Sequence, residues 1–337
     1  MSWTAAPSGA DWDATVEALT SGVPVLLLAH VSPDADALGS ALAAGIALER
    51  LGVDVAVSFG DDPFVVPRIL RSLPGQHLLV APDQLGERPV VASFDVSSID
   101  RLGVLRTVAE AAPTFVAIDH HSSFTGFGTI HVVDVTAPAT AVLALELVDR
   151  LGVELDDVIA TPIYAGLVTD TGSFKYAGTT PATHQVAARL LATGMRHDVV
   201  ARQIYDDEPF GALRMLGGAL DKAVLEETAV GGLGLVWTVV SDSDRASFDL
   251  PLDAVERVID VLRIATEAEV ACVLKQDDTG AWRVSMRSKG QVDVSAVAMA
   301  LGGGGHRFAA GFTGVGGPRE VLRQVREQLS IAAHDSV

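Results

Sequence analysis

The sequence has a single cysteine, Cys272, in 337 residues, which excludes an intramolecular disulfide and suits a reducing compartment. Cys272 falls in the apolar run 269–274 and reads as a small core residue. Bases are also scarce: 24 Lys and Arg stand against 43 Asp and Glu, a formal net charge of −19. Long nucleic acid is gripped by neutralising many phosphates, so that class of partner is excluded, whereas a small phosphate ligand held by a few local cations is not. Although 49% of the residues are hydrophobic, no apolar run approaches the ~18 residues that span a bilayer. The N-terminus has no basic segment followed by a long apolar core, so no secretory signal is expected and a cytoplasmic location is. There is no internal repeat, and low complexity is confined to short glycine clusters. The length admits two domains, each able to bury its own core.

What the sequence does contain is organised around His30-Val-Ser-Pro-Asp34-Ala-Asp36-Ala-Leu-Gly39-Ser40. Residues 23–29 read as a buried strand and 37–51, closed by Gly52, as a helix. One imidazole and two carboxylates therefore sit where a strand hands over to a helix, the ligand-binding position of an open α/β sheet. In isolation this loop has a plain reading: Asp34 caps the helix and Asp36 occupies its first turn, where orphan N–H groups favour carboxylates. Two acids so close together also repel unless a cation neutralises them.

Downstream segments change that balance. Strands are expected over 53–59, 76–80, 89–94, 115–118 and 129–133, and helices over 139–151, 156–168 and 181–192. This alternation predicts a parallel sheet with helices on both faces over residues 1–195. The strand at 89–94 ends in Asp95, and that at 115–118 ends in Asp119-His120-His121. The helix over 156–168 leads into Asp170-Thr-Gly172. Capping does not account for three strands that all finish in metal-capable side chains. Asp206-Asp207-Glu208-Pro209 breaks the pattern inside a connecting segment, 196–216. A smaller α/β domain is expected over 217–337, with a strand at 233–240 and a helix at 252–264. There follow a hairpin of 269–275 with 282–287, a helix at 294–301, a glycine-rich loop and a helix at 318–331.

Carboxylates mixed with imidazoles and no thiolate suit hard-to-borderline divalent ions. The acids exceed what one ion needs, and paired ions catalyse in-line displacement at phosphorus. The run Gly302-Gly-Gly304-Gly305-His306-Arg307 can aim several N–H groups at one anion, although it is not a P-loop and could equally be a flexible turn. Arg287-Ser288-Lys289 adds charge and a hydroxyl.

These motifs, in this order, resemble those of the DHH phosphoesterases: His30-x-x-x-Asp34-x-Asp36-x-x-Gly39-Ser40, Asp95, Asp119-His120-His121 and Asp170-Thr-Gly. The run from Gly302 through His306 to Gly311 resembles the signature of the DHHA1 domain that often follows. Within that superfamily the length is similar to the nanoRNase/pAp phosphatase group. One departure is Ala35, where many relatives have glycine. The resemblance implies two divalent ions, Mn2+ foremost and Mg2+ or Co2+ as substitutes. His30, Asp34 and Asp95 would hold one, and Asp36, Asp95, His120 and Asp170 the other. Asp119 would support the cluster, and His121 would contact the scissile phosphate and protonate the leaving oxygen. Arg287, Ser288, Gly304, Gly305 and His306 would bind the terminal phosphate or second nucleotide. The implied substrates are short RNA, linear pApA, 3′-phosphoadenosine 5′-phosphate and cyclic di-AMP; a homodimer is compatible with the family, a long duplex or a membrane partner is not expected. Two rivals are a manganese-dependent inorganic pyrophosphatase, whose second domain lacks the GGGGH run, and a non-catalytic nucleotide sensor. The remaining histidines, His77, His131, His184, His197 and His334, match no motif.

Overall fold

A computed structural model describes residues 6–334, which divide at Asp207 and Glu208 into two compact units. In the first, five parallel strands lie in the order β2-β1-β3-β4-β5, namely β1 (Val25–Ala29), β2 (Val55–Phe59), β3 (Val90–Phe94), β4 (Thr114–Asp119) and β5 (Ile130–Val133). Strands covered on both faces need apolar side chains at every position, which is why β1 reads Val-Leu-Leu-Leu-Ala without alternation. Leu27, Val57, Ala92 and Val116 point into a core shared with α1 (Gly9–Leu19), α2 (Ala35–Arg50), and further helices downstream. Leu26, Leu28, Val91 and Phe115 point into a second core on the opposite face, shared with the 3-10 segment Ile99–Leu105 and α3 (Arg106–Ala111).

The helices α4 (Thr140–Arg150) and α5 (Asp157–Asp170) pack on α2. The approach of α2 to α5 depends on glycine: a Cβ on Gly39 would stand 2.4 Å from the carbonyl oxygen of Pro162, and one on Gly166 would stand 2.8 Å from an Asp36 carboxylate oxygen. Two helices, α6 (Pro181–Leu191) and α7 (His197–Tyr205), complete the unit. The connecting segment expected at 196–216 is therefore structured: α7 lies in the first unit and α8 (Phe210–Asp221) opens the second.

One expected strand is absent. Residues 76–80 begin with a 3-10 turn, Gln76–Leu78, launched by Gly75 at φ 91°, and only an isolated bridge from Leu79 to Val57 remains. Pro74-Gly75 sets a turn geometry, and too few residues precede Pro82 to recover a strand.

The second unit is a six-stranded mixed sheet in the order β10-β11-β9-β8-β7-β6. Its strands are β6 (Val224–Glu226), β7 (Leu235–Val240), β8 (Val270–Gln276), β9 (Trp282–Ser288), β10 (Gly304–His306) and β11 (Ala309–Gly314). Only β7 and β8 are parallel. Cys272, Leu274, Val284 and Met286 face a core covered by the helices Val294–Ala300 and Pro318–His334, while Val236, Ala271 and Val273 face α8 and the helix Glu256–Leu262. Cys272 is fully buried, as its sequence context predicts. The glycine-rich run is not a free loop, because Gly304–His306 pairs as an edge strand with β11.

Candidate metal centre and anion-binding strand row

In the first unit the strand order turns at β1 and β3: the chain adds β2 on one side of β1, then returns to build β3, β4 and β5 on the other. Such a switch point leaves a crevice at the carboxyl ends of the two strands. His30 follows β1, Asp95 follows β3, and Asp119 and His120 lie at the end of β4. The sheet thus delivers all four side chains to one edge.

Asp95 stands at the centre. It adopts a left-handed backbone with φ 60°, an uncommon conformation for a residue other than glycine, held by its N–H donating to Ile118 O at 3.0 Å. Its Oδ2 lies 3.7 Å from His30 Nε2, while its Oδ1 lies 3.3 Å from His120 Nε2 and 3.5 Å from His121 Nδ1. The Thr140 hydroxyl donates to Asp95 Oδ1 at 2.9 Å. Burial opposes charge on Asp95, but His121, His120 and His30 outweigh it and hold the carboxyl well below its ordinary range.

Asp34 is the N-cap of α2: its Oδ1 accepts from the N–H groups of Asp36 and Ala37, both at 3.0 Å, and its Oδ2 lies 3.6 Å from His30 Nε2. The capping role and the cluster role are therefore served by different oxygens of one carboxylate. Asp36 is buried, and its two oxygens accept from Thr140 N at 2.7 Å and Ala141 N at 2.8 Å, capping α4 across the helix interface. Burial, Asp95 and Asp170 all push its carboxyl upward.

Asp170 is the last residue of α5, where the helix dipole disfavours an anion. Burial first, with Asp95 and Asp34 adding repulsion, raises its carboxyl from 3.8 to about 7. Its Oδ2 lies 3.3 Å from His120 Nε2. The His120 ring is turned by its Nδ1–H donating to Ala137 O at 3.0 Å, which aims Nε2 at the carboxylates. Burial opposes protonation of His120, but Asp95, Asp170 and Asp36 carry it well above the ordinary value.

Asp119 is fully buried; its Oδ1 accepts from His121 Nδ1–H at 2.7 Å, and its Oδ2 has no hydrogen-bond partner among the described residues. Burial works against a charged His121, yet Asp95 and Asp119 raise it. Asp134 stands apart: its carboxylate accepts from the Thr136 N–H and hydroxyl rather than joining the cluster.

Donor atoms within 4.8 Å of one another include those of His30, Asp34 and Asp95, of Asp36, His120 and Asp170, and of Asp95, Asp119 and His121, with Asp95 common to the first and the last. Carboxylates raised in pKa by burial and then by mutual repulsion, next to one whose buried oxygen lacks a partner among the described residues, form a site that a divalent cation would satisfy, so the donor set fits the two ions the sequence suggests. Thr140, Ala137 and Ala141 escape sequence reading because their parts are played by one hydroxyl and by backbone groups. The only signal was their place, at a helix start just after the Asp-His-His run.

In the second unit, register places His306 opposite Ala309 and Ala309 opposite Arg287. Directly paired residues share a face, so an imidazole and a guanidinium flank a small alanine across three strands. Gly305 at φ 138° lies where a Cβ would stand 2.6 Å from Ala309 O, and at Gly304 nothing lies within 4 Å of one. Ser288 does not join this row. It is buried, donates to Glu269 Oε1 at 2.7 Å and accepts from Gly290 N and Val292 N, so its hydroxyl supports the turn after β9 instead of reaching a substrate. Lys289 is likewise engaged, on Ala265 O.

Of the unassigned histidines, His77 pairs with Glu49, His131 Nε2–H donates to Phe127 O and His184 stacks on Phe174. His197 opens α7. The side chain of His334 lies outside the described residues, as do residues 1–5 of the N-terminal reading.

The family model for the DHH family N-terminal domain matches residues 24–167, and that for the DHHA1 domain matches 236–332. The chain is 34% identical over 92% of its length and 92% of the relative's to the bifunctional oligoribonuclease and PAP phosphatase NrnA of Thermus thermophilus. It is 24% identical, over 85% of this chain and 88% of the relative, to a probable protein of the same name from Streptococcus mutans. A crystal structure of an exopolyphosphatase-related protein from Bacteroides fragilis superposes with a TM-score of 0.86 at 23% identity, covering 98% of each chain, and so shares the fold. With its metal-capable edge on a parallel sheet and its glycine-rich strand on a mixed one, the chain belongs to the DHH phosphoesterases that carry a DHHA1 domain.

Proposed function

We propose that this chain is a metal-dependent phosphodiesterase that hydrolyses short oligoribonucleotides, pApA among them, to mononucleotides, and that it also converts 3′-phosphoadenosine 5′-phosphate to AMP. The observation that carries the reading is Asp95, which stands between His30 on one side and His120 and His121 on the other and joins the donor group of His30 and Asp34 to that of Asp119 and His121. His30, Asp34 and Asp95 would hold one divalent ion, and Asp36, Asp95, His120 and Asp170 the second; Mn2+ is the ion we propose for both. When bound, the pair supplies charge neutralisation at phosphorus and a lowered pKa for water.

The protein's own groups supply the rest. His121, whose protonated form Asp95 and Asp119 favour against burial, is placed to give a proton to the leaving oxygen as the phosphorus–oxygen bond breaks. Asp119 fixes the ring by accepting its Nδ1–H, leaving Nε2 as the atom that faces substrate. Thr140 fixes Asp95, and the amides of Thr140 and Ala141 fix Asp36, so the acids are preorganised on rigid elements. In the second unit Arg287 and His306 would bind a terminal phosphate, with Gly304 and Gly305 letting it approach the edge strand. Ser288 would act one step removed, by holding the turn that ends β9. The names of the two curated relatives support both activities. No helix of the described residues is long and apolar enough to cross a membrane, and we place the reaction in the cytoplasm.

The test is parallel hydrolysis of pApA, a longer RNA, 3′-phosphoadenosine 5′-phosphate, cyclic di-AMP and pyrophosphate, with Mn2+ and with chelator. The expected result is Mn2+-dependent cleavage that favours the dinucleotide over the longer RNA. Cleavage of pyrophosphate alone, or of none, would overturn the proposal.

A further inference from the structure

Arg101 has no part in the reading above, yet its guanidinium meets the metal-capable cluster. The residue lies in the 3-10 segment Ile99–Leu105 that follows β3. This segment is clamped to the carboxyl ends of β1 and β2. Val31 N–H donates to Arg101 O at 2.8 Å, Val104 N–H donates to Gly60 O at 3.2 Å, and Arg101 N–H donates to Ser98 O at 2.9 Å. The approach is close enough that a Cβ on Gly60 would stand 1.9 Å from Leu102 O, and Gly103 takes φ 54° against Gly60. The backbone of Arg101 is thus fixed, while its side chain is exposed.

The side chain reaches the cluster through an imidazole: Nη2 lies 2.7 Å from His30 Nδ1. It makes no ion pair with a carboxylate among the described residues, although Asp34 and Asp95 flank the same ring. His30 Nδ1 also lies 2.8 Å from Val31 O. Beyond that single Nη2 contact with the ring, the guanidinium N–H groups have no protein acceptor among the described residues. A planar fork of donors on a fixed backbone, open to solvent at the rim of a cluster built for cations, matches the paired oxygens of a phosphodiester.

We infer that Arg101 contacts the non-bridging oxygens of the scissile phosphate, an assignment that rests on the phosphodiesterase reading. It makes Arg101 part of the cleavage site in the first unit, separate from the terminal-phosphate contacts assigned to Arg287 and His306.

The variants are Arg101→Ala and Arg101→Lys, assayed on pApA and on bis(4-nitrophenyl) phosphate, which offers a phosphodiester with no terminal phosphate. Mn2+ binding is measured by calorimetry, and pApA affinity on the Mn2+-loaded protein. The expected result is a loss of about 100-fold in kcat/KM on both substrates for Arg101→Ala, as when one transition-state donor is removed. Arg101→Lys should restore part of it, and Mn2+ affinity should match wild type. If Mn2+ binding weakens by about 10- to 100-fold in step with activity, Arg101 only orients His30 and the inference falls. Unchanged kcat/KM on both substrates also overturns it. A wild type that hydrolyses neither substrate removes the phosphodiesterase reading; weaker pApA binding by Arg101→Ala would then still support the phosphate contact, and equal binding would overturn it.

Discussion

At the scale of residues, the cluster works by opposing charges that cannot all be satisfied by the protein. Asp95 has three imidazoles around it and stays ionised; Asp170 has burial and a helix C-terminus against it and rises to about 7. The sign of its effect on the metal-free protein follows. A carboxyl whose pKa is higher folded than unfolded stabilises the fold fully below the unfolded value, and that contribution is lost as pH rises through the folded value. For Asp170 the loss runs from about 3.8 to about 7. Asp170→Asn should therefore raise the Tm of the metal-free protein at pH 8, with the gain shrinking toward pH 4. The same variant should lose most of the Tm increase that Mn2+ gives the wild type, because a ligand that binds only the folded state stabilises it by mass action. Thermal melts of both proteins across this pH range, with and without Mn2+, check the two statements together. A gain that does not change with pH would show that Asp170 is already ionised at no cost.

At the scale of elements, the cluster's geometry is a matter of how α2 meets α5 and α4. Asp36 rides on α2, Asp170 on α5, and the amides that hold Asp36 on α4. Adding a methyl group at Gly39 would place it 2.4 Å from Pro162 O, in backbone that cannot swing away. Gly39→Ala should cost about 1–3 kcal/mol, the usual cost of overpacking. It should also lower kcat/KM for pApA, since separating the helices moves Asp36 from Asp170. Denaturant melts and kinetics on the same variant test this; a loss of stability with unchanged kinetics would mean that the acids are positioned independently of the helix spacing. This is also where sequence reading reached its limit. The ends of β1, β3 and β4 were legible because a largely apolar run stops abruptly at a polar residue, and His30, Asp95 and Asp119 mark those stops. The helix expected over 156–168 stops two residues short of the observed end, which leaves Asp170 just beyond it although it closes α5. Thr140 was invisible as a functional residue, since its hydroxyl and amide matter only after α4 is laid beside α2. The strand expected at 76–80 failed because local turn chemistry at Pro74-Gly75 overrode an apolar pattern.

At the scale of the whole molecule, the two units carry different halves of the chemistry. The first has the acids and imidazoles that suit cations; the second has a sheet row of His306, Ala309 and Arg287 that suits an anion. On the proposed function, joining them in one chain would make binding of a short substrate bivalent, the second contact acting at an effective concentration set by the tether rather than by bulk solution. The two activities should therefore separate by substrate. On that proposal a dinucleotide with a terminal phosphate would need both halves, and bis(4-nitrophenyl) phosphate only the first. His306→Ala should raise KM for pApA by about 10-fold, equivalent to one lost charge-assisted hydrogen bond, and leave kcat/KM for bis(4-nitrophenyl) phosphate unchanged. A structural cause gives a different pattern, because a misfolded second unit would also lower its melting transition. The Tm of His306→Ala, measured beside the kinetics, separates the two. Equal losses on both substrates, at an unchanged Tm, would place His306 in the hydrolytic step itself and end the division of labour between the units.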